Sequence, residues 1–347
     1  MARYLVTGGA GFIGSHIVER LIGRGHAVRV LDDLSTGRLE NLAPLRRKIE
    51  FLKGDIRDRT IVRRAVKRID YIIHEGAWRS VPKSMKDPCG YTEVNVLGTV
   101  QVLTEAAKAK VKRVVLASSS SVYGNSERLP LREDQPAAPI SPYAMSKLSG
   151  EHHCQLFSRS FGLETVSLRY FNVFGPRQSL DNEYAVVVPK FITCLLRGER
   201  PPIHGDGQQS RDFTFIENVA EATIVASTAP GVSGDVFNIA CGEAHSVLDL
   251  VKTLNQILRL SMKPTFTAPR AGDVRRTLAD ISKAQRLLRW KPTVGFVDGL
   301  MRTVNWFREH LDTGNGMPIR KAVGRHPLRR APRQQRRAAG TARSESR

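Results

Sequence analysis

The chain opens on a short apolar run, Arg3–Thr7, followed at once by Gly9-Ala10-Gly11-Phe12-Ile13-Gly14. A GxGxxG string alone is no more than a glycine turn. Here a strand-like run precedes it and a helical stretch, Phe12–Arg24, follows it. In that setting the glycines let backbone N–H groups approach a pyrophosphate, and the helix N-terminus favours its charge. Asp32 ends the next apolar run, Ala27–Leu31, at about the distance a ribose-binding carboxylate requires. Its charge opposes a 2′-phosphate, which predicts NAD as cofactor and not NADP. Asp33 beside it either shares that role or faces water.

The strand–helix alternation continues. Ile49–Leu52, Tyr71–Ile73, Arg113–Ala117 and Glu164–Arg169 read as strands, and Val94–Ala109 and Pro142–Phe161 as helices. Strands separated by helices of this length need right-handed crossovers. The expected fold class is therefore α/β, a Rossmann-type doubly wound parallel sheet. After Asn172 the pattern loosens, with helices at Val187–Leu196, Val247–Ile257 and Val297–His310, and a loop through 264–273. This predicts a smaller, interleaved substrate-binding lobe over the carboxyl ends of the strands. The expected organisation is a cofactor-binding domain over 1–172 with part of 212–242, the lobe over 173–312, and a tail over 313–347.

The tail accounts for much of the net charge of +21. Residues 314–347 hold nine arginines and Lys321 against Glu345, a surplus of nine positive charges, with almost no large apolar side chains. Such a segment cannot bury a core and is expected to be disordered. It reads as a solvated tail before it reads as an arm for nucleic acid or membrane, so no nucleic-acid partner is expected. The four cysteines are scattered without a CxxC pair, which argues against a disulfide framework or a metal site. There is no signal-like start and no long apolar run, so a soluble, cytoplasmic protein is expected.

Tyr143 and Lys147 lie four residues apart, one above the other on a helix. A free tyrosine is a poor base at neutral pH, and a neighbouring cation would lower its pKa. Pro142 opens that helix, after a strand that ends in Ser118-Ser119-Ser120-Ser121-Val122-Tyr123-Gly124 and faces the same crevice. A proton acceptor and a tuning charge beside a dinucleotide suit hydride chemistry.

Thr7-Gly8-Gly9-Ala10-Gly11-Phe12-Ile13-Gly14-Ser15 resembles the glycine loop of the extended short-chain dehydrogenase/reductases. Gly54-Asp55-Ile56-Arg57-Asp58 is similar to the family's adenine-contacting segment, and Asn95-Val96-Leu97-Gly98-Thr99 to its NVxGT turn. The likeness runs from Arg3 to about His310 and is strongest to nucleotide-sugar epimerases and dehydratases. One departure is His74-Glu75-Gly76-Ala77, where the family pattern reads HxAA. The resemblance implies that Gly8, Gly11, Phe12, Ile13, Gly14, Asp32, Asp55, Ile56, Ala77, Asn95, Tyr143, Lys147 and Tyr170 contact NAD. It also implies that Ser119, with Tyr143 and Lys147, forms the catalytic set, and that Ser120 assists at the substrate.

In the second half, Leu168–Pro176 resembles the family's RYFNVxGP stretch, which implies that Asn172 meets a substrate diphosphate. Gly205–Phe213 resembles GDGxxxRDF and implies a phosphate contact for Arg211; Arg270 resembles a second nucleotide-holding arginine, with Asp273 close by. Val188-Pro189-Lys190-Phe191 resembles a stretch that lines uracil, so a UDP-sugar is the expected substrate and a homodimer the expected assembly. Dehydratases of this kind carry an acid–base pair after the catalytic serine or threonine, where this chain has Ser120-Ser121. That leaves 4-epimerisation as the implied reaction. Thr277 occupies the place that is a large tyrosine in members restricted to glucose and galactose, which implies room for an N-acetyl group. UDP-glucuronate remains an alternative.

Overall fold

In the computed structural model, residues 1–179, 187–269 and 274–311 are described. Arg270 and Asp273, and the tail assigned to 313–347, lie outside the described residues. Seven parallel strands form the centre: β1 (Arg3–Thr7), β2 (Ala27–Asp32), β3 (Ile49–Lys53), β4 (Tyr71–His74), β5 (Arg113–Ser119), β6 (Glu164–Tyr170) and β11 (Asp235–Ile239). Their spatial order is β11-β6-β5-β4-β1-β2-β3, so the chain reverses its direction of winding between β1 and β4. That reversal opens a crevice at the carboxyl ends of the two strands, where ligands of open α/β sheets bind.

Both faces of the sheet are covered, which is why its strands read as near-continuous apolar runs. On one face α1 (Phe12–Gly23) packs with α8 (Ile216–Ala226); Ile17, Leu21, Ala220 and Ile224 are buried there against β1 and β2. On the other face lie α2 (Arg59–Ala65), α5 (Gly98–Lys108) and α6 (Pro142–Ser160), which bury Val62, Val102, Leu103 and Phe157. The seventh strand comes from well beyond residue 172 and pairs with β6.

The helix expected over Val94–Ala109 is in fact broken by one turn. Short α3 (Val81–Lys86) and α4 (Pro88–Thr92) lead into a π-helical turn at Glu93–Leu97, and only then does α5 begin. A π turn inserts one extra residue, and here it brings Asn95 inward, where it is buried. The rest of the chain builds the lobe from β7 (Val173–Phe174), α7 (Val187–Arg197), β8 (Pro202–His204), β9 (Ser210–Arg211), β10 (Thr214–Phe215), β12 (His245–Ser246), α9 (Val247–Leu258), β13 (Thr265–Thr267) and α10 (Phe296–His310). Part of the stretch expected as loop is therefore strand: Thr265-Phe266-Thr267 has β-favouring residues and pairs with β8. No helix among the described residues is long and apolar enough to cross a membrane.

Candidate active site

Two clefts meet at the carboxyl ends of the strands. The first is lined by Gly8, Gly11, Phe12, Ile13, Gly14, Asp32, Asp55, Ile56, Glu75, Gly76, Ala77 and Arg79, among others. Its floor is backbone. Gly8 adopts φ +66°, and a Cβ there would stand 2.7 Å from Gly76 N. At Gly14 a Cβ would lie 2.2 Å from the Gly8 carbonyl oxygen. Gly11 caps the twelve-residue α1 without a side chain, so the helix N-terminus opens toward the cleft with first-turn N–H groups that lack intrahelical partners. This cradle fits a dinucleotide pyrophosphate.

Asp32 closes the far end. Its carboxylate accepts the Ala10 and Leu34 amides, each at 2.9 Å, and burial raises its pKa despite these bonds. Two oxygens offer about four lone-pair sites, so capacity remains for ribose hydroxyls. Asp33 instead accepts from Ser35 N and Oγ. Asp55 lines the cleft with its carboxylate held by Arg57, which lowers its pKa. Asn95 stands behind the wall. Its amide accepts from Trp78 N at 2.7 Å and donates to Trp78 O and Ser146 Oγ, so it fixes the loop after β4. Gly76, the departure in the HxAA pattern, donates its amide to Thr7 Oγ1 at 3.1 Å and leaves Ala77 in the lining.

The second cleft is lined by Ser118–Ser121, Tyr143, Tyr170, Asn172, Gln178, Lys190, Phe191, Gln209 and Arg211, again with Phe12 and Arg79. The four serines divide their work. Ser118 donates to the buried Glu151, itself paired with Arg169. Ser119 caps the short 3₁₀ turn after β5, accepting the Ser121 amide at 3.1 Å and donating to Ser121 Oγ at 3.0 Å, and its hydroxyl lies near enough to the Tyr143 phenol to lower its pKa. Ser120 stays on the cleft wall. The Asn172 backbone is at φ +30°, a conformation that asparagine tolerates better than most residues. Its Oδ1 accepts from Thr277 Oγ1 at 3.3 Å, so Thr277 sits behind Asn172 and not on the wall itself. Val188 is buried in the core, while its neighbours Val187, Lys190 and Phe191 face the cleft. Arg211 lines the cleft with Nη1 donating to Ser210 O.

Tyr143 sits in the lining where the Ser119 turn approaches the loop after β4. Burial raises its pKa first; the Ser119 hydrogen bond and the Arg79 guanidinium lower it, and the Glu75 carboxyl raises it. Lys147 is buried, donates to Ala117 O at 2.8 Å, and has its pKa pushed down to about 8, chiefly by desolvation. The Arg79 guanidinium also acts on the phenol and lowers its pKa.

Three contributors escaped sequence reasoning. Arg79 and Glu75 sit in a loop whose path only the tertiary fold reveals. Asp212 is fully buried and accepts the amides of Cys241, Gly242 and Ala279 at 2.9, 3.0 and 3.2 Å, clamping the segment that carries Thr277 to the lobe. Its place between Arg211 and Phe213 was the available signal. Among the described residues, no cluster of three His, Cys, Asp or Glu side chains could hold a metal.

A glycine-cradled dinucleotide cleft that opens onto a tyrosine–serine site defines a nicotinamide-dependent enzyme of the short-chain dehydrogenase type. The chain belongs to the NAD dependent epimerase/dehydratase family, whose model matches residues 4–240. It is 40% identical over 310 residues to a UDP-glucose 4-epimerase of Mycolicibacterium smegmatis, covering 88% of this chain and 98% of that one. The UDP-N-acetylglucosamine 4-epimerase of Methanobrevibacter ruminantium, solved in complex with UDP-N-acetylmuramic acid, superposes with TM-score 0.85 at 38% identity, over 89% of this chain and 98% of that one. The UDP-glucuronic acid 4-epimerase of Bacillus cereus, in complex with UDP-glucuronic acid and NAD, gives TM-score 0.82 at 34% identity, over 88% and 99%. The cofactor is NAD.

Proposed function

We propose that this chain is an NAD-dependent 4-epimerase of UDP-sugars that interconverts UDP-N-acetylglucosamine and UDP-N-acetylgalactosamine and tolerates UDP-glucose and UDP-galactose. The observation that carries this is the Ser119–Tyr143 pair at the junction of the two clefts, with serines and, among the described residues, no carboxylate on the adjoining wall. Tyr143 accepts the proton of the sugar 4-hydroxyl, and Ser119 hydrogen-bonds that hydroxyl and holds the phenol. Bound NAD supplies the hydride acceptor and later the donor, which leaves the chain's own residues the tasks of proton transfer and orientation. Arg79 favours the phenolate, and Lys147, tied to β5, adds a buried positive charge behind it. The transient 4-keto sugar turns in the cleft and takes its proton back from Tyr143.

Asn172 and Arg211 on the cleft wall are suited to a substrate diphosphate, since a guanidinium matches phosphate oxygens. Elimination of water would need an acid and a base where Ser120 and Ser121 stand, so dehydratase activity is not expected. The relatives' names divide among glucose, N-acetylglucosamine and glucuronate. Thr277 behind Asn172 favours an N-acetylated sugar because it leaves the space a larger side chain would fill. UDP-glucuronate is the second reading, favoured by Arg79: a cation on the wall beside Tyr143 also suits a sugar carboxylate. Incubation with a panel of these UDP-sugars, with product stereochemistry read by NMR, decides between them. Inversion of UDP-glucuronate alone would overturn the N-acetyl assignment; the absence of inversion at carbon 4 for every sugar would overturn the epimerase reading.

A further inference from the structure

Tyr143, Lys147 and Glu151 follow one another at four-residue steps along α6, so they share one flank of the helix. The chemistry above uses the first two and leaves Glu151 without a role. Glu151 is only 1% exposed, and its carboxylate is spent on the sheet. Oε1 accepts from Ser118 Oγ on β5 and from Arg169 Nε on β6, the latter at 2.9 Å; Oε2 accepts from Arg169 Nη2 at 2.8 Å. Ser118 and Arg169 are register partners, and Asn238 of β11 continues the same row across a third strand. Lys147 reaches the residue before Ser118, donating to Ala117 O at 2.8 Å. The helix that carries Tyr143 is therefore tied to β5 at two consecutive residues, immediately before Ser119.

The far end of the Ser119 turn belongs to the same cluster. Tyr123 is the last residue of that turn, and the Arg169 guanidinium lies over its ring, 4.6 Å from the centroid. The Tyr123 hydroxyl donates to Asn238 Oδ1 at 2.7 Å. Glu151 thus holds the turn from both sides, through Ser118 before it and through Arg169 and Tyr123 after it. A buried ion pair of this kind contributes little net stability compared with apolar side chains of similar size. Here Arg169 Nη1 also lacks a hydrogen-bond acceptor among the described residues, which is a further cost. What the cluster supplies is a fixed distance.

We propose that Glu151 is a positioning residue: paired with Arg169 and Ser118, it sets the spacing between the Tyr143 phenol on α6 and the Ser119 turn at the end of β5. This rests on the reading of Tyr143 as the base and Ser119 as its partner. A displacement of about 1 Å between reacting groups costs roughly a hundredfold in rate. The glycine cradle and the wall around Arg211 lie on other elements, so binding of cofactor and substrate is left as it was. A change at Glu151 therefore acts on kcat and spares KM.

The test separates position from stability in the NAD-loaded enzyme, with turnover measured well below each variant's melting temperature. Glu151→Leu combined with Arg169→Met removes both buried charges together, so the melting temperature is expected to stay near that of the wild type or to rise. On the UDP-sugar that the wild type inverts, kcat is expected to fall about ten- to a hundredfold, with KM and NAD per chain unchanged. The isotope effect for a sugar deuterated at carbon 4 is expected to grow, because the misplaced proton acceptor slows the step that breaks that bond. Glu151→Asp keeps the charge but shortens the arm, so α6 must shift to keep its partners. It is expected to lower kcat in the same way by less, and it carries the test if the double variant does not fold. Wild-type kcat in the folded double variant or in Glu151→Asp, or a loss that lies in KM, overturns the proposal. The turnover of Tyr143→Phe tests the base assignment separately: dependence on Tyr143 with wild-type kcat in Glu151→Asp overturns this inference alone.

Discussion

The floor of the cofactor cleft is glycine backbone, whereas the substrate cleft is lined by side chains from several segments, although the two share Phe12, Ile13 and Arg79. In the first, Gly8 and Gly14 approach other main-chain atoms so closely that no Cβ fits. In the second, Ser120, Asn172, Lys190, Phe191 and Arg211 reach in from separate segments of the chain. A wall of backbone can be built in very few ways, so it holds one ligand and resists substitution. A wall of side chains is re-cut by exchanging them, and one fold can then serve several sugars. The names of the related proteins follow this division: one cofactor class and several sugars.

The largest effect is expected where the clefts join. Tyr143→Phe should lower kcat by ~10²–10⁴-fold, the range of general-base catalysis, with bound NAD and melting temperature unchanged. Near-normal turnover would remove Tyr143 from the chemistry. Gly14→Ala tests the backbone wall, because the new methyl would lie 2.2 Å from the Gly8 carbonyl oxygen. Overpacking of this kind costs about 1–3 kcal/mol, so NAD per chain and melting temperature should both fall. Retention of both would show that the loop adjusts and that the contrast between the walls is weaker than drawn.

Behind the side-chain wall, Thr277→Tyr should lower kcat/KM for UDP-N-acetyl sugars by about ten- to a hundredfold, the equivalent of ~1–3 kcal/mol. UDP-galactose should suffer much less. The new ring would act through Asn172, to which Thr277 is bonded. Equal losses on both substrates would place the size gate elsewhere. The smallest effect is expected from removal of everything after Gly314: kinetics and melting temperature should match the full chain, since that segment has too few apolar residues to pack. A drop of several degrees would mean that it docks on the body.

The sequence by itself determined the features set by local backbone geometry. A positive φ and close backbone contacts demand glycine, so Gly8 and Gly14 announce the cradle. A covered parallel strand demands a continuous apolar run, and six of the seven central strands are visible that way. The helical repeat puts Tyr143 and Lys147 on one face. The seventh strand, β11, lies far along the chain from the sheet it completes, and no local pattern names its partner β6.

Only the tertiary structure decided where the side chains point once the face is fixed. It turned Lys147 to the Ala117 carbonyl, set Arg79 and Glu75 against Tyr143 from one loop, and spent Asn95 on the Trp78 backbone. The charges that act on a phenol depend on distances between segments brought together by crossovers. Burial then decides which of those charges survive. Neither quantity is written in residue spacing. The sequence could therefore single out Tyr143 as the proposed base, but its surroundings emerged only when β4, β5, β6 and α6 were packed together.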